Sequence, residues 1–271
     1  MLDVMTQAKN AIEAYNTALK ISSSNLANMN VPGYKKLNVS FQSVFEQVLT
    51  QGTAAGLTQG GTNPKQLGQG MSIAGTSIDF ANGETTSGSA IDLAIAGGGL
   101  FIVSPDGGAS QLYTRNGNFE VDAAGNLTSN GMQVYGFDSS GNLVPIVGLP
   151  SGQKTDYKWQ DDGTLLYSPD SGTTFTTTGY RIALTHFANP GGLVQAQGTA
   201  FAATLASGNA ASAESPGGVA GIIKPGQVEQ SNVNYLSESI YSLELQRALS
   251  GNLSMVRLAS DLISSVITKL T

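Results

Sequence analysis

Between Gln227 and Thr271 apolar residues return at helical spacing. Leu236, Ile240 and Leu243 step by four and three. Leu249, Leu253 and Val256 repeat the step, and Ile263, Ile267 and Leu270 follow. This heptad-like pattern predicts a helix over 234–269 with one apolar stripe. Its other face is Ser, Asn, Gln and a few charges, and only Gly251 interrupts it. The start of the chain carries the same signal, since Met5, Ala8, Ile12, Tyr15, Leu19 and Leu26 predict a helix over 3–28. Each stripe needs a cover, and the nearest candidates are the other helix or a copy from a neighbouring molecule. Periodicity alone equally allows each helix to pack on an ordinary globular core.

The pattern between the helices is that of strands and turns. Pro32 cannot continue a helix and Gly33 relieves the turn, so the first helix stops near 28–30. Val39–Leu49 reads as one or two helical turns, and Thr50–Gly70 as a Gly/Thr/Gln-rich linker. Extended segments follow at 71–80, 91–95 and 100–103. Leu112–Arg115, Asn116-Gly117 and Asn118–Val121 read as strand, type I′ turn and strand. Turn signals then recur about every ten residues through Phe187, which suggests a sandwich or small barrel. Ala206–Gly221 reads as a loop, and Asn234 or Ser237 as the cap of the last helix. The expected fold class is therefore α+β, with two terminal helices and a mostly β domain inserted between them. The expected divisions are 1–36 (first helix), 37–75 (connecting segment), 76–225 (β domain) and 226–271 (last helix).

Composition narrows the functional classes. The 271 residues carry a net charge of −6, only 12% charged residues and 34 glycines. No basic patch is present, which argues against nucleic acid as a partner. The absence of cysteine excludes disulfides, thiol catalysis and Cys-ligated zinc. No apolar run approaches the roughly 18 residues of a membrane span. The opening Met1-Leu-Asp-Val lacks a basic region followed by an apolar one, so no cleaved signal peptide is expected.

Candidate chemistry is sparse. Gly97–Gly99 follows an apolar run, but Leu100–Val103 continues as a strand rather than opening a helix, so a bulge or turn is favoured over a phosphate loop. His186 is the only histidine and has no Ser or carboxylate neighbour that reads as a triad partner. Asp161-Asp162 reads as a turn, and Trp159 as packing. No catalytic residue, metal site or cofactor is expected. An esterase or glycosidase would need a constellation that is missing.

Several segments carry a specific likeness. Ser24–Asn28, with the signature positions Asn25, Leu26, Ala27 and Asn28, runs on through Asn30, Pro32, Gly33, Tyr34 and Lys35. This resembles the N-terminal signature of the bacterial flagellar rod and hook proteins. Ser231, Asn232, Val233 and Asn234, leading into Gln246-Arg247-Ala248 and Asn252, resemble their C-terminal signature. Asp92–Ile95, Gly97, Gly99, Phe101, Tyr113–Arg115, Gly117 and Phe119 look like the family's central β segment, and Phe187–Pro190 matches a further landmark. The likeness spans nearly the whole chain in order.

The resemblance implies a structural protein, not an enzyme. In this family the terminal helices pair as a coiled coil and line a tubular homo-oligomer, with the β domain outside. By this likeness Ile12, Tyr15, Leu19, Leu26, Leu236, Ile240, Leu243, Leu249, Leu253, Val256, Ile263 and Ile267 are the self-assembly residues. Phe41 and Phe45, in Phe41-Gln-Ser-Val-Phe45, resemble the short aromatic signal that engages the flagellar type III export gate. Implied partners are adjacent rod, hook and junction proteins and a hook or rod cap. The implied location is the flagellar hook or basal body. Gly60–Gly68 and the length favour a short hook protein that transmits motor torque; Asn234 and Leu243–Arg247 lean to the distal rod, the alternative. A secreted β-rich binding module is the remaining class, and paired terminal helices are not expected there.

Overall fold

The structure, a computed structural model, describes residues 2–270 except 45, 52–53, 55–60, 69, 151 and 171. The chain forms two units. One comprises the residues up to Leu26, Leu37–Thr76 and those from Tyr235 on; the other comprises Ala27–Lys36 and Ser77–Asn234.

The first unit is built on two long helices, α1 (Leu2–Ala27) and α2 (Tyr235–Leu270). They pack against each other and run antiparallel, with Ser22 beside Ser242 and Asn25 beside Glu238. Asp3 lies in the first turn of α1, where a carboxylate favours the helix dipole. Four strands complete the unit: β1 (Leu37–Ser43), β2 (Glu46–Thr50), β3 (Lys65–Gly68) and β4 (Met71–Ile78). β1 pairs with β4 and β2 with β3. The stretch expected to be helical turns, Val39–Leu49, thus contributes to β1 and β2 instead. Leu37 and Val39 are half-buried while Asn38 and Ser40 are exposed, a period of two that suits a strand. β3 also falls within the stretch expected to be a linker.

Among the described residues the second unit holds sixteen further strands. The first eight are β5 (Thr85–Ser87), β6 (Leu93–Ala96), β7 (Leu100–Ser104), β8 (Leu112–Thr114), β9 (Glu120–Val121), β10 (Leu127–Ser129), β11 (Met132–Phe137) and β12 (Leu143–Pro145). Then come β13 (Tyr157–Trp159), β14 (Thr164–Tyr167), β15 (Thr176–Ile182), β16 (Leu184–Thr185), β17 (Val194–Gln197), β18 (Ala200–Ala202), β19 (Ile222–Pro225) and β20 (Gln227–Glu229). Twelve of them form one branched antiparallel sheet. Its pivot is β11. Gln133 and Val134 pair with β7, whereas Gly136 and Phe137 pair with β15, so the strand passes from one face of the core to the other. Both faces feed one core that includes Phe101, Phe119, Leu127, Val134, Trp159, Leu165 and Ile182. Phe119 stacks edge-on to Phe101 at 5.1 Å and near Trp159 at 6.2 Å, and the Trp159 indole N–H donates to the Ile91 carbonyl at 2.6 Å. Each such large apolar side chain contributes about 1.5–3 kcal/mol on burial.

One expected hairpin does not form. β8 pairs with β7 and β18, and β9 pairs with β10, so the strands flanking Asn116-Gly117 never meet. Asn116 instead makes a local turn, accepting the Asn118 N–H on its side chain at 3.0 Å. Gly117 serves a close approach: a Cβ there would lie 1.6 Å from the Leu93 carbonyl oxygen.

Candidate assembly face and connector cluster

The helices bury small and polar residues where the sequence suggested large apolar ones. On α1 the buried positions are Ala8, Ala11, Ala14, Ala18, Ser22 and Asn25. Ile12, Tyr15, Leu19 and Leu26 flank them and are half-buried. On α2 the buried positions are Glu238, Leu245 and Ala259, with Ser242, Leu249, Asn252, Val256 and Ile263 half-buried in the same heptad register. Small side chains let two helix backbones approach closely. The Ser22 and Ser242 hydroxyls meet at 2.8 Å.

The single stripe read from the sequence of α2 therefore resolves into two faces. Leu249, Val256 and Ile263 lie on the inward one. Leu236, Ile240, Leu243, Leu253 and Ile267 are exposed, as are Met255, Leu258, Leu262 and Val266, which the sequence reading did not single out. At about 100° per residue, Leu236, Ile240, Leu243, Leu258 and Leu262 fall on one side of α2, away from Leu245. Within this unit that side is an uncovered apolar face.

The signature residues sit at the exits of the helices. In the helical unit the Asn25 side chain holds the backbone of Leu37 from both sides, donating to its carbonyl at 2.9 Å and accepting its N–H at 3.0 Å. It also donates to Glu238 at 3.2 Å. Ala27 closes α1, and the Asn28 carbonyl accepts the Val31 N–H at 3.1 Å in the turn before Pro32. α2 begins at Tyr235, directly after Asn234.

In the β unit the two connectors lie side by side. Gly33 has φ +69°, and a Cβ there would stand 2.3 Å from the Asn116 nitrogen, so only glycine fits. Its N–H donates to the Glu229 carbonyl at 2.8 Å. Tyr34 is buried beside it. The Asn232 side chain accepts the Lys36 N–H at 2.8 Å and donates to the carbonyls of Asp79 and Ala81. The Ser231 hydroxyl accepts the Val233 N–H.

At their centre lies a buried ion cluster that sequence reasoning missed. Lys35 Nζ stands 2.6 Å from Glu229 Oε1, and Arg115 Nη1 stands 3.2 Å from Glu229 Oε2; all three side chains are at most 1% exposed. Glu229 also accepts the Gly83 N–H at 2.8 Å, Lys35 donates to the Ala81 carbonyl, and Arg115 donates to the carbonyls of Ile95 and Gly97. Burial pulls the lysine and arginine pKa values below their usual ranges, and the Glu229 carboxylate opposes this. Lys35 and Arg115 fall within the signature segments, but nothing in their spacing points to a common carboxylate.

Other candidate residues resolve simply. Phe41 lies on β1, 36% exposed, with its ring 5.9 Å from Tyr15. Phe45 lies outside the described residues. Gly97–Gly99 turns between β6 and β7 against Ala220 and Gly221, where a Cβ at 97 would approach the Gly221 Cα to 2.7 Å. His186 does have a carboxylate neighbour: Glu214 Oε1 is 3.6 Å from Nδ1. Reciprocal backbone bonds between Leu184 and Glu214 bring it there from the loop. Asp162 caps a turn through the Thr164 N–H. No helix among the described residues is long and apolar enough to cross a membrane.

Comparison with known proteins adds the family. Residues 94–185 match the flagellar hook protein FlgE/F/G D1 domain, and residues 5–35 match the flagella basal body rod protein family. The chain is 31% identical to the flagellar basal-body rod protein FlgG of Bacillus subtilis (strain 168), over 98% of each chain. It is 27% identical to FlgG of Buchnera aphidicola subsp. Baizongia pistaciae, over 98% of this chain and 99% of that protein. It is 38% identical to the flagellar hook protein FlgE of Helicobacter mustelae, over 48% of this chain and 29% of that larger protein.

Proposed function

Because the chain belongs to the flagellar rod and hook protein family, and is thus a structural subunit of the flagellar axis, we propose that it builds the tube through its helical unit. The uncovered apolar face of α2 carries this reading. Exposed leucines and an isoleucine recur along one side of α2 from Leu236 to Leu262, and neighbouring copies are their natural cover. In this reading the helices form the inner wall and the β unit the outer one. Rod, hook and junction proteins and a cap are the neighbours along the axis.

Two positions on that axis draw support. End-to-end correspondence with proteins named as rod subunits favours the rod. The hook relatives, which match about half of the chain, support the hook position that the Gly60–Gly68 segment and the length suggest. Export through the flagellar type III apparatus, with Phe41 and Phe45 as the gate signal, completes the proposal.

Gold labelling of a tagged copy on isolated hook–basal bodies tests the reading. Label on the rod or on the hook supports the axial assignment and fixes the position. A deletion strain that keeps normal flagella and motility contradicts it.

A further inference from the structure

We infer that the Lys35–Glu229–Arg115 cluster is a registration device: it sets how α1 is aligned along α2. Its members come from distant parts of the chain. Lys35 lies eight residues after α1 ends at Ala27, and Glu229 lies six before α2 begins at Tyr235. Between them run the Gly33 to Glu229 and Lys36 to Asn232 bonds, at 2.8 Å each, so the two connectors are locked residue against residue. Arg115 anchors the same carboxylate from the β sheet.

The helices themselves specify their alignment weakly. The buried face of α1 is mostly alanine, and the polar pairs that mark the alignment are Ser22–Ser242 and Asn25–Glu238. A run of small side chains accepts a shift along the partner more readily than interlocked large ones. A buried charge cluster is a poor way to add net stability but a strong way to forbid alternatives, because a slipped connector leaves desolvated charges unpaired. The glycine at 33 enforces the same fit sterically.

The test needs only the monomer, so it stands apart from the assembly reading. The chain has no cysteine and one tryptophan, Trp159, which is buried in the β core. Ser22→Cys with Ser242→Cys places two thiols where hydroxyls meet at 2.8 Å. In the otherwise native chain, mild oxidation is expected to close this bridge nearly completely. With Glu229→Gln added, or with Lys35→Met and Glu229→Gln together, the yield is expected to fall at least fivefold. The unfolding transition seen by Trp159 fluorescence is expected to persist. An unchanged bridge yield in both backgrounds would overturn the inference. So would loss of the Trp159 transition in both, since the cluster would then serve the stability of the β unit in general.

Discussion

Replacing Leu258 with Asp separates assembly from folding. Leu258 lies on the uncovered side of α2 and is 55% exposed. In the monomer the change touches little, and the lower helix propensity of Asp costs about 0.5 kcal/mol. In the proposed tube neighbouring copies would cover that face. Fully burying a leucine is worth about 1.5–3 kcal/mol, so roughly half of that remains to be gained on assembly. The new carboxylate loses this and adds a further desolvation cost of several kcal/mol unless it takes up a proton. At about 1.4 kcal/mol per factor of ten, the critical concentration for polymerisation should rise at least about a hundredfold. Ser264→Asp, on the exposed polar side of the helix, is the control and should assemble normally. Sedimentation and negative-stain imaging read the polymer, and circular dichroism reads the helices. Tubes from Leu258→Asp at the native threshold would refute the reasoning. Loss of monomer helicity would equally refute the premise that this face is uncovered.

Three further outcomes are expected. Gly33→Ala forces a side chain into left-handed backbone and against Asn116, so thermal unfolding should show a loss of about 3 kcal/mol or more in the β unit; a change under about 1 kcal/mol contradicts the packing described. Phe41→Ala with Phe45→Ala should stop secretion while cytoplasmic levels stay normal, and normal filaments from that strain would exclude the export role. Burial holds the Asp92 carboxyl above its usual pKa, against opposing N–H bonds from Ser89 and Phe119. The folded chain therefore binds a proton there at a pH where the unfolded chain does not. That stabilising contribution is fully present below the ordinary Asp value and is lost as pH rises through the folded one. Melting curves across this range should show native protein gaining on Asp92→Asn as pH falls; the opposite trend is inconsistent with a raised pKa.

The two helices and their pairing were legible in the sequence because heptad spacing survives any choice of partner. Which face met the partner was not. Large residues such as Leu243 and Leu253 dominate a periodicity reading, yet the buried face uses Ala18, Ser22 and Asn25. A helix covered on one side by its own chain and apolar on a second, exposed side carries two stripes, and spacing alone merges them. Asn116-Gly117 misled for a related reason: glycine was read as a backbone conformation when it served a close approach to Leu93. The ion cluster was hidden by distance along the chain. Lys35, Arg115 and Glu229 meet only once the connectors are brought together.

Assembly into a tube through the terminal helices is open to direct observation. Electron cryo-microscopy of the polymer grown from purified protein tests it most directly. The account predicts a tubular wall whose inner layer is α1 and α2, with Leu236, Leu243, Leu258 and Leu262 buried against neighbouring copies. A polymer held together by the β units alone, with those leucines facing solvent, would contradict it.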